Sequence, residues 1–167
     1  MKSTFALVQN LLGRFGKAAS ALQSPFLLAV RLYWGWQLAQ NGWGKLHNLS
    51  RVTAYFSSLG LPAPGPTAAF VSTVEFVCGI LLAIGLLSRI SSLAIIIDMA
   101  TAYVTADRQA LASLISDPGT FYNAAEYTFL FAALVILIFG PGKISVDTLL
   151  ERVLKKPGTS EAGASAG

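Results

Sequence analysis

Four long apolar runs occupy most of the sequence between residues 25 and 139. They extend over residues 25–44, 67–87, 90–106 and 121–139. A helix needs about 20 apolar residues to cross a hydrocarbon core of about 30 Å, and each run reaches or nearly reaches that length. The sequence therefore predicts a bundle of four membrane-spanning helices. The third run is the shortest and carries Asp98 near its middle, so a re-entrant segment is the alternative there.

The overall composition also indicates that the solvent of this fold is lipid. Hydrophobic residues make up 54% of the chain and charged residues only 12%, whereas soluble domains carry about 25% charged residues. So few charges leave too little polar surface to coat a water-soluble globule. The net charge of +4 comes mainly from basic residues that flank the apolar runs, a pattern that indicates membrane topology and not nucleic-acid binding. The predicted partner is the lipid bilayer, with no nucleic acid.

The distribution of Lys and Arg between the two ends of the spans predicts their orientation. One side holds eight basic residues: Lys2, Arg14, Lys17, Arg89, Lys143, Arg152, Lys155 and Lys156. The other side holds three: Lys45, Arg51 and Arg108. Because basic residues collect on the cytoplasmic side of membrane proteins, both termini are predicted to be cytoplasmic.

The segments outside the spans divide the chain into three predicted parts. Residues 1–23 form an amphipathic segment, with Phe5, Val8, Leu12 and Phe15 at intervals of three and four. It either lies in the membrane interface or is a cytoplasmic helix that packs on the bundle or on a partner. Residues 24–150 form the four-helix membrane domain. Residues 151–167 form a tail that is first basic and then, by composition, disordered.

The connections between spans carry clear turn signals. Residues 59–66 read LGLPAPGP, which excludes a regular helix or a central strand there. Ser88 and Arg89 are predicted to form a very tight turn between the second and third spans. After the fourth span, GPGKISVDTLLERVLKK predicts a turn and then a short amphipathic helix that Ser145 caps.

Each apolar run contains one ionisable residue: Arg31, Glu75, Asp98 and Glu126 respectively. A charge at the bilayer centre costs about 2.5 to 3.5 kcal/mol, so such residues usually face the bundle interior and find partners. Small and hydroxylated residues share their helical faces, which favours close helix packing there. The four residues are predicted to converge on one polar core. That core either binds a small molecule or relays protons, or it only holds the helices in register.

The helical rise suggests which of these residues meet. At 1.5 Å per residue, the depths of Arg31 and Asp98 differ by only about 3 Å, so they are predicted to pair. A pair between Arg31 and Glu75 is the alternative, because a long side chain can snorkel part of the distance. Glu75 and Glu126 are expected closer to the opposite surface. They are predicted to share a proton unless a cation or Lys45 intervenes.

Few other residues point to chemistry. The single histidine, His47, and the single cysteine, Cys78, cannot by themselves build a metal site, a haem site with two histidines, or a redox dithiol. Cys78 lies inside an apolar run and is expected to be a packing residue. The sequence predicts no intrinsic cofactor or metal and no self-sufficient enzyme.

Three segments resemble the DoxX family of small four-helix bacterial membrane proteins. They are RLYWGWQLAQNGWGKL with the following YFSSLGLPAP, then EFVCGILLAIGLLSRIS, and finally GPGKISVDTLL. Together they extend from Arg31 to about Leu150. Asp98 departs from the family pattern, in which that span is more apolar. The residues that carry the resemblance, besides Arg31 and Glu75, are Lys45, Gly60, Leu61, Pro62, Gly79, Gly85, Arg89, Gly140, Pro141, Gly142, Ser145 and Asp147.

The resemblance implies a multi-pass protein of the bacterial inner membrane that is linked to redox metabolism. Relatives act as subunits of a thiosulfate:quinone oxidoreductase or help to assemble membrane oxidoreductases. The leading hypothesis is therefore a subunit, anchor or assembly partner of such a system, with a quinone in the polar core near Arg31 and Glu75. Redox proteins and further copies of the chain are the candidate partners. A small-molecule or proton-coupled carrier and a ligand-free scaffold are the alternatives.

Overall fold

All the regular secondary structure in the described part of the chain is helical. A computed structural model describes the backbone of residues 2–155 and the side chains of residues 10–155. Within those residues there are eight helices and no strand: α1 (Lys2–His47), α2 (Leu49–Ser58), α3 (Pro64–Ile84), α4 (Ser88–Thr105), α5 (Arg108–Ala112), α6 (Pro118–Asn123), α7 (Ala125–Phe139) and α8 (Val146–Leu154). The prediction of an all-helical chain is confirmed. The predicted disordered tail lies outside the described residues.

Helix α1 joins the amino-terminal segment to the first apolar run without a break. It has 46 residues, which corresponds to a length of about 69 Å. Pro25 lies inside it, so the predicted boundary after residue 23 is not a helix end. Residues 10–22 are exposed, including Leu12 and Phe15, so this part does not pack on the other helices. The side chains of Phe5 and Val8 lie outside the described residues.

Helices α1 and α3 pack with their backbones in close contact. A Cβ atom added at Gly79 of α3 would lie 2.5 Å from the backbone N of Ala39, and one added at Gly35 would lie 2.8 Å from the backbone N of Ala83. Gly42 meets the backbone of Phe76 in the same way. Small residues permit this approach, which is typical of helix pairs in membranes. The contacts also show that the two helices are antiparallel.

Four helices share one apolar core. Leu27 and Leu38 of α1, Leu82 of α3, Ile95 of α4 and Ile136 of α7 are buried against one another. Large apolar residues also cover the outside of the same helices: Trp36, Phe70, Ile97, Phe131 and Ile138 are all more than half exposed. An apolar surface of this extent is not stable in water and indicates contact with lipid.

By length and composition, α3 is the one helix in the described part of the chain that is suited to crossing a membrane. Helix α7 is similarly apolar but has only 15 residues. The predicted fourth run is divided, because Ala124 adopts an extended conformation between α6 and α7. The long helix of that run therefore begins at Ala125 instead of Phe121.

The turn between α3 and α4 lies three residues earlier than predicted. Gly85 ends α3 in the left-handed conformation with φ 74°, and Leu87 has φ 49°. Ser88 and Arg89 belong to the first turn of α4, so the prediction of a turn at these two residues is wrong. Gly85 decides the position, because glycine adopts the left-handed conformation at a helix end without a steric penalty.

The structure also contains a helix, α2, that the sequence did not predict, and the cap of α8 that the sequence did predict. Helix α2 follows α1 after a single residue, Asn48. An irregular segment then leads to α3, which starts at Pro64, because proline fits the first turn of a helix. The prediction that residues 59–66 contain no helix is therefore wrong for residues 64–66. At the other end of the chain, the Ser145 hydroxyl accepts a hydrogen bond from the Thr148 backbone N at 3.2 Å. The predicted cap of α8 is therefore confirmed.

Candidate functional site

A cavity of about 220 Å³ lies between the carboxyl-terminal part of α1 and helices α2, α3, α4 and α7. Four charged side chains line it: Lys45, Glu75, Asp98 and Glu126. Each comes from a different helix, respectively α1, α3, α4 and α7. We call this cavity the acidic pocket. It brings together three of the four ionisable residues that the sequence predicted to converge.

An ion pair joins α1 and α3 inside the acidic pocket. Lys45 Nζ donates a hydrogen bond to Glu75 Oε1 at 2.5 Å. The Glu75 side chain is 5% exposed and that of Lys45 is 38% exposed. Side chains on a helix lean towards its amino terminus, so Lys45 at the end of α1 reaches back into the bundle. The other oxygen, Glu75 Oε2, is buried and accepts no hydrogen bond from the described residues.

The other two carboxylates give the acidic pocket an excess of negative charge. Asp98 and Glu126 are both half-buried, and Glu126 Oε2 has no hydrogen-bond partner among the described residues. Several carboxylates around one ammonium group in a low dielectric disfavour full ionisation. The pocket therefore favours an additional proton, a cation or a ligand that donates hydrogen bonds.

The remaining lining is mostly apolar and aromatic. Leu38, Val71, Met99 and Phe129 form walls, and α2 with the segment after it contributes Tyr55, Phe56, Leu59 and Leu61. Helix α2 has no buried residues, so it covers the pocket without entering the core. This cover was missed, because residues 49–58 lie between two apolar runs and have the composition of a connection. A pocket with apolar walls and a few convergent polar groups is typical of a small-molecule site.

Arg31 lies apart from the other three predicted core residues. It is fully buried, and its Nη2 donates to the carbonyl oxygen of Ile144. Lys45 follows 14 residues later on α1, a separation of about 21 Å along the axis. The predicted pair with Asp98 is therefore wrong, and Glu75 pairs with Lys45 instead of Arg31. The depth estimate ignored the lean of Arg31 towards the amino terminus of α1, away from the acidic pocket.

The two residues considered for metal or redox chemistry lie in separate places. Cys78 is a free thiol that packs against the apolar core. His47 Nδ1 contacts the carbonyl oxygen of Trp43 at 2.9 Å, within α1. Among residues 2–155 there is no group of three or more His, Cys, Asp or Glu side chains that could hold a metal ion.

Comparison with known proteins shows the family. The DoxX family model matches residues 26–108, from the middle of α1 to the start of α5. The chain belongs to the DoxX family. It is also 28% identical over 140 residues to an uncharacterized membrane protein of Mycobacterium tuberculosis. The matched segment covers 77% of this chain and 83% of that relative. No solved structure matches. We conclude that this DoxX chain is a membrane protein.

Several motif residues of this DoxX chain meet at the end of the molecule opposite the acidic pocket. Asp147 Oδ1 accepts a hydrogen bond from the Leu87 backbone N at 2.7 Å, and Oδ2 accepts one from the Ser88 N at 2.9 Å. The Asp147 N in turn donates to the Gly85 carbonyl at 2.9 Å. Asp147 thus caps α4 and fixes the turn from α3. We call residues 140–147, with Arg31 and Gly85, the C-terminal clamp.

Glycine at position 85 is required by the packing of the C-terminal clamp. An added Cβ there would overlap the Arg31 guanidinium group and would lie 2.8 Å from Ser145 Cβ. The Gly142 carbonyl accepts hydrogen bonds from the hydroxyls of Ser145 and Thr148 at 3.0 and 2.9 Å. Residues 140–147 lie beyond the segment that the DoxX family model matches. The motif residues therefore divide between two sites. Lys45 and Leu61 line the acidic pocket, whereas the motif residues from Gly140 to Asp147 belong to the C-terminal clamp.

Proposed function

We propose that this DoxX protein is a subunit, anchor or assembly partner of a membrane oxidoreductase system and that its acidic pocket receives the head group of a quinone. The observation that carries the proposal is the placement of Lys45, Glu75, Asp98 and Glu126 in one cavity with apolar and aromatic walls. The redox setting comes from the family resemblance. The printed name of the Mycobacterium relative states only that it is a membrane protein.

The size and chemistry of the acidic pocket suit a single-ring head group. Its volume of about 220 Å³ is below the roughly 300 to 1,000 Å³ of pockets for drug-sized ligands. The carbonyl oxygens of the quinone accept hydrogen bonds, which the Lys45 ammonium group can donate, and the hydroxyl groups of the reduced quinol donate hydrogen bonds, which the Glu75 carboxylate can accept. The Phe56 and Phe129 rings offer apolar contact to the quinone ring. Electrons would come from a partner protein, since the single Cys78 cannot form a redox dithiol.

We further propose that α1, α3, α4 and α7 are the four spans and that the protein lies in the bacterial inner membrane with both termini cytoplasmic. The apolar residues on the outer faces of these helices support the number of spans. The eight-to-three distribution of basic residues supports the orientation. In this arrangement the acidic pocket is near the outer surface, and the C-terminal clamp is near the cytoplasm.

The proposal is tested by purifying the protein in a mild detergent and identifying co-purified quinones and proteins by mass spectrometry. Binding of a short-chain quinone analogue is then measured by calorimetry for the wild type, Lys45→Met and Glu75→Gln. A hydrogen bond to a charged group contributes about 1.5 to 3 kcal/mol, so each variant should bind at least about tenfold more weakly. Asp117→Asn is the matched control, because Asp117 is exposed and does not line the acidic pocket.

The alternatives predict different results in the same experiment. If no quinone co-purifies and the analogue does not bind the wild type, the quinone proposal is wrong. A ligand-free scaffold would retain its partner proteins in Glu75→Gln, without any quinone. A carrier would instead transport a small molecule in proteoliposomes. An equal loss of quinone binding in Asp117→Asn would show that the effect does not arise in the acidic pocket.

A further inference from the structure

A second cavity lies at the clamp end of the molecule. It is an open groove of about 670 Å³ between the amino-terminal part of α1, the turn from α3 to α4, the segment after α7, and α8. Arg89 and Lys143 both line it, and both are exposed. The Arg89 guanidinium group lies over the turn at Gly140, where an added Cβ would be 3.7 Å from Nη2. We call this cavity the basic groove.

Two basic residues, Arg89 and Lys143, and two acidic residues, Asp147 and Glu151, line the basic groove, so an anion is favoured there by the unpaired basic side chains and not by a net positive charge. Within the described residues the ion pairs are Lys45–Glu75 and Lys155–Glu151, so neither Arg89 nor Lys143 is paired. Of the acids in the groove, Asp147 uses both oxygens to cap α4. Glu151 lies 3.7 Å from Lys155. An anion could therefore contact both basic side chains without displacing an existing ion pair.

The rim of the basic groove is apolar. Leu87, Ile90 and Phe139 line it and are 51%, 65% and 59% exposed. Ser20 and Gln23 of α1 add uncharged polar groups on the opposite wall. The backbone N–H groups of Leu87 and Ser88 at the start of α4 already donate to Asp147, so these two groups are not free to bind an anion. A ligand that fits this groove has an anionic head group and an apolar part beside it.

We propose that the basic groove binds an anionic phospholipid, with its phosphate between Arg89 and Lys143 and its acyl chains against Ile90 and Phe139. Basic pockets between membrane helices near the cytoplasmic surface are known to bind such head groups. The site is separate from the acidic pocket, so the proposal does not depend on quinone binding. Phosphatidylglycerol is the probe of choice, because it carries one phosphate charge and two acyl chains.

The test is native mass spectrometry of the full-length protein with added phosphatidylglycerol or phosphatidylcholine. Wild type should bind phosphatidylglycerol more tightly. Each of Arg89→Gln and Lys143→Gln should weaken phosphatidylglycerol binding about fivefold, the contribution expected of one basic residue at a membrane surface. The double variant should bind the two lipids equally. Arg89→Lys and Lys143→Arg keep the charge and should retain the preference.

Arg152→Gln is the matched control, because Arg152 belongs to α8 and is exposed but does not line the basic groove. An equal loss of binding in this control would mean that diffuse surface charge attracts the lipid, and it would overturn the proposal. Retention of the preference by the double variant would overturn it as well. So would displacement of phosphatidylglycerol by millimolar glycerol phosphate, because the groove would then be a site for soluble anions. Thermal melting of each variant verifies that it is folded.

Discussion

Replacing Lys45 by Met and Glu75 by Gln, singly and together, tests whether their ion pair stabilises the contact between α1 and α3. Lys45→Met leaves both oxygens of a nearly buried carboxylate without a partner. Glu75→Gln leaves an ammonium group that is 38% exposed and can reach water or lipid head groups. We therefore expect Lys45→Met to reduce the free energy of unfolding more than Glu75→Gln does.

The expected coupling energy follows from the distance and the exposure. Two unit charges 2.5 Å apart attract by a gross energy of about 7 kcal/mol at an effective dielectric constant of about 20. Most of this attraction is offset by the loss of hydration of both groups. Polar contacts between membrane helices have net coupling energies of about 0.6 kcal/mol on average and about 1.7 at most. Because Glu75 is 5% exposed, we expect a value near the upper end of this range, about 1 to 1.7 kcal/mol.

The assay is reversible unfolding in mixed micelles with increasing dodecyl sulfate, applied to the four proteins of the double-mutant cycle. The matched control is the same cycle on Lys155 and Glu151, which are 3.7 Å apart and 79% and 69% exposed. That pair should couple by less than about 0.5 kcal/mol. A Lys45–Glu75 coupling as small as the control would refute the reasoning, since it would mean that the contact contributes nothing to stability.

Three further predictions concern the helix packing, the C-terminal clamp and the topology. Gly79→Ala should reduce the free energy of unfolding by about 1 to 3 kcal/mol through overpacking against α1, whereas Gly44→Ala, with open space around it, should be neutral or slightly stabilising. Equal effects would contradict the close packing of α1 and α3. Asp147→Ala should lower stability by about 1 to 3 kcal/mol, because it removes the acceptor of two backbone N–H groups. An unchanged melting temperature would exclude this capping role. Reporter fusions after residue 156 should be cytoplasmic and fusions within residues 59–63 external; finding both on one side would refute the four-span topology.

Helix existence could be predicted from the sequence, because the apolar runs are long and lipid imposes helical backbones. The helix ends were less predictable. Helix α3 ends at Ile84, before Gly85. Helix α4 starts at Ser88, because Asp147 caps α4 from about 60 residues further along the chain. A contact that distant along the chain gives no local pattern. Helix α2 was missed for a different reason, since its ten residues were too few and too polar to be predicted as a span.

The polar residues could be predicted to face inward, but their partners could not. Burial of Glu75 follows from the cost of exposing a charge to lipid, together with the small residues on its helical face. The partner depends on side-chain direction as well as depth. Lys45 and Arg31 both lean towards the amino terminus of α1. That lean takes Lys45 into the acidic pocket and Arg31 away from it to Ile144.

The unpaired atoms and their surroundings distinguish the two polar clusters. Arg31 Nε and Nη1 are buried and have no hydrogen-bond partner among the described residues, but Gly85, Ser145 and the Ile144 carbonyl lie against the guanidinium group, so Arg31 serves to hold residues 140–147 against the bundle. Glu75 Oε2 is also without a partner among the described residues, but it borders an open cavity. Buried Leu38, Leu82 and Ile95 lie in the apolar core of the four helices. We infer that changes in the C-terminal clamp act on stability alone, whereas changes in the acidic pocket act on ligand binding and also on the contact between α1 and α3 that the Lys45–Glu75 pair stabilises.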